Sequence, residues 1–117
     1  PEPVLSDAHA AGERGPVMVT VEYLIEPAQR DAFLTALHAF APERRRDGAL
    51  QWDLFEDAAQ PGRFVEMFLL PSWDEHLRQH ARVSLADAEL QREVRAFHRG
   101  LSSPRVEHWV GHRSMAP

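Results

Sequence analysis

Cysteine, lysine and asparagine are all missing from this chain. Without cysteine there is no disulfide scaffold, no thiolate zinc site and no thiol nucleophile. Without lysine there is no Schiff base and no P-loop lysine, and no asparagine amide is available for catalysis. Positive charge is scarce. All 13 basic residues are Arg, they face 18 Asp and Glu, and the net charge of −5 argues against a nucleic-acid partner. Long apolar runs are missing too. The longest uncharged stretches, Gly15–Val21 and Phe33–Pro42, fall well short of the ~18 apolar residues that cross a bilayer. No Gly-rich phosphate loop, nucleophile elbow or Ser-His-Asp order is present.

What remains is enough for one domain, since 117 residues match the ~100–150 typical of a domain. Residues 1–16 are rich in Pro, Ser, Asp, Gly and Glu and read as a linker or tether, not a signal peptide. The sequence starts on Pro1, not Met, so the tether is expected to continue a longer chain. The domain is expected over 17–112, with a short tail at 113–117.

Val17 to Ile25 alternates as a strand, with Val17, Val19, Val21, Tyr23 and Ile25 on one face. Pro27 suits a first helical position, and Phe33, Leu37 and Phe40 follow at helical spacing. Arg44, Arg45 and Arg46 read as a solvated helix end that complements the helix dipole, with Gly48 as the stop. Pro42 predicts a break or kink near Phe40 to Glu43. Ala49–Glu56 and Arg63–Leu70 read as a hairpin, joined by a loop containing Pro61 and Gly62. Ser72 and Glu75 form a capping box, and Ser84 to Asp87 marks a second helix start. Arg105 to His112 is the final strand. The order βαββαβ is the ferredoxin-like α+β pattern, an antiparallel sheet with helices on one face.

Such a sheet leaves its other face open. That face is expected to carry Met18, Thr20, Glu22, Gln51, Asp53, Phe55, Phe64, Glu66, Phe68, Glu107 and Trp109. Monomers avoid apolar patches of that size, so a two-fold homodimer packing sheet on sheet is expected. The inter-sheet space is a candidate ligand cavity, with Phe55, Phe64, Phe68 and Trp109 as walls. Glu22, Asp53 and Glu66 would supply the polar groups for a small aromatic ligand. In the competing arrangement the aromatics interdigitate and the carboxylates pair with Arg63 or Arg105. His76 and His80, four apart on a helix, give an alternative reading as metal ligands, but no third ligand is fixed and none is assigned. Trp73, just inside the helix start, reads as a staple beneath the turn.

The element order, with Pro61-Gly62-Arg63-Phe64-Val65-Glu66 leading into Trp73 through His80, resembles the antibiotic biosynthesis monooxygenase-like superfamily of dimeric α+β barrels. A narrower resemblance is to the soluble C-terminal domain of major facilitator superfamily permeases, in the enterobactin exporter-like branch. Pro16–Tyr23, Trp52–Asp57, Ser72–His80 and His98-Arg99-Gly100 carry it. The resemblance implies a cytoplasmic, non-catalytic dimerisation or small-ligand-sensing domain without a cofactor. It would lie at the inner face of the membrane, touching it only through the tethered transporter. The alternative it implies is a stand-alone, cofactor-independent monooxygenase acting on polycyclic phenols. Trp73, His80 at the cavity mouth and a strand carboxylate such as Glu66 would then be catalytic. Haem degradation is disfavoured, because the haem-degrading members rely on an Asn near the first strand.

Overall fold

The computed structural model describes residues 15–81 and 85–112, leaving out the side chains of 79–81, 85 and 86. The expected tether up to residue 14, the tail at 113–117, the helix start at Ser84 and the His80 side chain lie outside the described residues. Strand β1 (Val17–Leu24) is followed by a single 3-10 turn, Pro27–Gln29, and helix α1 (Arg30–Arg46). Strands β2 (Gln51–Glu56) and β3 (Arg63–Leu70) come next, then α2 (Trp73–Ala81), α3 (Leu85–Arg95) and β4 (Arg105–Val110). The sheet order is β2-β3-β1-β4, antiparallel throughout. This is the expected ferredoxin-like α+β fold.

Burial alternates strictly along β1, with Val17, Val19, Val21 and Tyr23 under the helices. From α1, Phe33, Leu37, Phe40 and Arg44 are buried along one stripe. Phe33 is the hinge of the core. Its ring meets those of Tyr23 at 5.2 Å, Phe64 at 5.1 Å and Phe97 at 6.0 Å. Burying each such ring contributes roughly 1.5–3 kcal/mol.

Two expectations fail in whole or in part. The break allowed for at Phe40 to Glu43 does not occur, and helix α1 runs without interruption through Pro42. Pro42 and His38, whose carbonyl loses its ladder donor, are both exposed, so water can take the place of the missing N–H. The second failure is the phase of β3. Phe64, Glu66, Phe68 and Leu70 point under the helices, and Arg63, Val65, Met67 and Leu69 face outward. The pairings Val19 with Phe68 and Val21 with Glu66 fix this register. Both faces of β3 are apolar, so alternation does not select one, and a one-residue phase shift turns over every side chain.

The turns are set by side chains as well as by glycine. Asp57 Oδ1 accepts the Ala59 and Gln60 N–H groups at 2.7 and 3.2 Å, shaping the hairpin loop. Gly62 has φ +91°, and its carbonyl accepts the Ile25 N–H at 2.7 Å, an approach that a Cβ 2.5 Å from the Ile25 carbonyl would block. The Ser72 hydroxyl accepts the Glu75 N–H at 3.1 Å, capping α2.

Candidate functional site

The two faces of the sheet carry different chemistry. Beneath the helices, β3 places Glu66 with no exposed surface at all. Arg44 Nε donates to its Oε2 at 3.0 Å and Arg44 Nη2 to its Oε1 at 3.3 Å. Trp52 Nε1, from β2, donates to Oε2 at 2.8 Å, and the Tyr23 hydroxyl, from β1, donates to Oε1 at 3.0 Å. Each carboxylate oxygen therefore accepts two hydrogen bonds. The Arg44 guanidinium lies between the rings of Phe40 and Phe68, at 4.5 and 4.4 Å from their centroids.

The electrostatics follow from this enclosure. Burial by itself pushes the Glu66 carboxyl up. The Arg44 charge and the hydrogen bonds from Arg44, Trp52 and Tyr23 outweigh it and hold the group below the usual carboxylate value. Burial, then the nearby Glu66 charge, pushes the Tyr23 phenol far above its ordinary value. A carboxylate with a depressed pKa and filled lone pairs is a poor general base. The interior is an anchored ion pair surrounded by aromatic rings.

The outward face carries Met18, Thr20, Glu22 and Leu24 from β1, and Gln51, Asp53 and Phe55 from β2. Val65, Met67 and Leu69 from β3 and Glu107 and Trp109 from β4 join them. Phe55 is 59% exposed and Trp109 50%, so two large aromatics stand in water. The carboxylates here pair locally. Arg63 Nη2 meets Glu22 at 2.7 Å and its Nη1 meets Asp57 at 2.8 Å, while Arg105 lies 3.5 Å from Glu107. Gln51 Nε2 donates to Asp53 at 2.7 Å, and Trp109 Nε1 donates to the Thr20 hydroxyl at 3.2 Å.

The seven residues expected to share one cavity are thus divided by the sheet. Glu22, Asp53, Phe55 and Trp109 lie on the open face; Phe64, Glu66 and Phe68 lie in the interior. The pairing of Glu22 with Arg63 and of Glu107 with Arg105 follows the competing arrangement, but Glu66 takes Arg44 instead. Arg44 is 8% exposed and so not part of a solvated run, whereas Arg45 and Arg46 are exposed. Its position had a signal in the sequence: it falls four residues after Phe40 on the stripe of Phe33 and Leu37.

His76 is buried, 4.9 Å ring to ring from His108 of β4, and Trp73 packs on both at 5.5 and 5.8 Å. Trp73 itself is buried as part of the core. His108 was not singled out from the sequence, because only the register brings it beside α2. Among the described residues no group of three or more His, Asp or Glu side chains is arranged to hold a metal ion.

The same fold occurs in solved structures. An antibiotic biosynthesis monooxygenase aligns with a TM-score of 0.66 at 21% identity, covering 83% of this chain and 99% of its own. A candidate antibiotic biosynthesis monooxygenase from Caulobacter crescentus gives 0.74 at 15% identity, covering 92% and 100%. Rv0793 from Mycobacterium tuberculosis gives 0.67 at 21% identity, covering 87% and 100%. At these identities the likeness is one of fold. No curated protein matches the chain. No helix among the described residues is long and apolar enough to cross a membrane. Yet the sequence profile of transmembrane secretion effectors matches residues 1–115, nearly the whole of this chain, which belongs to that family.

Proposed function

We propose that the chain is a non-catalytic, self-associating domain serving a membrane exporter, and that two copies join through their open sheet faces. The outward apolar face carries this reading. Phe55 and Trp109 stand largely in water on the two edge strands, beside Val65 and Met18, and a second sheet would cover them together with Leu24, Met67 and Leu69. Membership of the transmembrane secretion effector family supports a role beside an exporter, and the reading puts the domain at the cytoplasmic side of the membrane. Small-ligand sensing fits the same role, since a ligand that alters the dimer would alter the transporter.

The monooxygenase reading has less to support it. It asks a strand carboxylate to take a proton from a phenol, and Glu66 already receives four hydrogen bonds and a cation. Sedimentation equilibrium from 1 to 100 µM is the test. Self-association predicts about twice the 13.3 kDa chain mass, dissociating on dilution, and a mass of 13.3 kDa throughout overturns it.

A further inference from the structure

On the helix side, away from the open face, a cleft of about 700 Å3 lies between the beginning of α1 and the end of α3. That size falls in the usual range for small-molecule sites, about 300–1,000 Å3. Its apolar wall is Ala36 of α1 with Ala96 and Phe97 just after α3. Phe97 also meets Phe33 edge-on at 6.0 Å, so the wall is the outer side of the aromatic core. The far end is fixed by His98, whose Nδ1 accepts the Leu24 N–H at 3.0 Å. Its Nε2–H is thereby left to donate to the Ser102 carbonyl at 3.0 Å.

The rim is acidic in a way that leaves one charge over. Glu26 is spent on Arg99, 2.7 Å away. Glu93, in the last turns of α3 and four residues before Phe97 in the chain, is exposed and has no ion pair or hydrogen bond among the described residues. Its carboxylate borders a concave apolar surface with no cation assigned to it. An apolar anion would be repelled there, and a neutral molecule would gain nothing from the rim.

We propose that this cleft binds a small hydrophobic cation, its apolar body against Phe97, Ala36 and Ala96 and its charge beside Glu93. The apolar contact supplies the affinity, and the carboxylate selects the sign of charge. The site lies in the helix layer, so it stands whether or not the sheet faces pair.

Tetraphenylphosphonium and tetraphenylborate test this, because they share shape and differ in charge. Calorimetric titration of the whole chain should show one saturable phosphonium site and at least about tenfold weaker borate binding. Glu93→Gln should weaken phosphonium about fivefold, the effect of one partly exposed charge, without weakening borate. Ala96→Phe should fill the cleft and abolish phosphonium binding, with circular dichroism showing the fold intact. Should that variant not fold, Glu93→Gln decides alone. Equal binding of the two ions overturns the proposal, as does phosphonium binding unchanged in Glu93→Gln. So does the absence of saturable binding up to 1 mM, or binding lost in Met67→Glu, which would move the ligand to the open sheet face. Calorimetry on monomer and dimer alike keeps this outcome separate from the sedimentation result.

Discussion

The covered and open faces of the sheet both interrupt apolar strands with carboxylates, but those carboxylates do different things. On the covered face Glu66 is wholly buried and held by Arg44, Trp52 and Tyr23, from a helix and two neighbouring strands. On the open face Glu22 and Glu107 are partly in water and pair with strand Arg residues. A polar residue in a strand therefore does not by itself report which way it points. Its partner does, and the partner comes from elsewhere in the chain.

The largest effect should come from breaking the covered pair. Glu66→Ala leaves the Arg44 guanidinium buried between Phe40 and Phe68 without its counter-ion, and should cost about 3–5 kcal/mol in urea unfolding. The double variant Arg44→Met, Glu66→Leu should recover part of that loss, because it removes both charges and keeps the volume but leaves the Tyr23 hydroxyl and the Trp52 indole N–H without their acceptor. If the single and double variants were equally unstable, packing and not charge would be what matters here. Next comes the open face. Met67, centred between Thr20 and Asp53, should tolerate Glu in the monomer while the dimer weakens by about a hundredfold, roughly 2.7 kcal/mol. Sedimentation of Met67→Glu beside the unaltered chain checks it.

Acid sharpens the contrast. The folded Glu66 carboxyl sits below its ordinary value, so between that folded value and about pH 4.3 the unfolded chain binds the extra proton. The stability this group contributes is complete above about pH 4.3 and is lost as pH falls through the folded value. Urea unfolding from pH 6 to pH 3 should steepen accordingly, and the steepening should shrink in the double variant. The smallest effect belongs to Arg63, whose partners Glu22 and Asp57 are partly exposed. Arg63→Ala should cost under about 1 kcal/mol, and less in 1 M salt.

Much of this organisation is legible in the sequence, for identifiable reasons. The βαββαβ order follows from period-two and helical spacing, Pro27, the Ser72 cap and the Asp57–Gly62 turn. The phase of β3 was not legible, because Phe64, Val65, Met67, Phe68, Leu69 and Leu70 are apolar on both sides. Of the strand's two charged residues Arg63 faces outward as usual, but Glu66 marks the buried side against the usual rule. Its partner Arg44 reads in sequence as one of three solvated arginines, although it falls on the stripe of Phe33, Leu37 and Phe40 that the structure buries. The cleft beside Phe97 depends on how α3 packs on α1 and leaves no motif.

Because the chain lacks cysteine, one introduced thiol reports cleanly on which surface meets a second copy. Met67→Cys places it at the centre of the open face and Arg45→Cys on the exposed side of α1. Under a short bis-maleimide at 10 µM protein, Met67→Cys should cross-link to covalent dimer and Arg45→Cys should remain monomeric. Equal cross-linking of the two, or none at Met67→Cys in a folded protein, would contradict the pairing of the open faces.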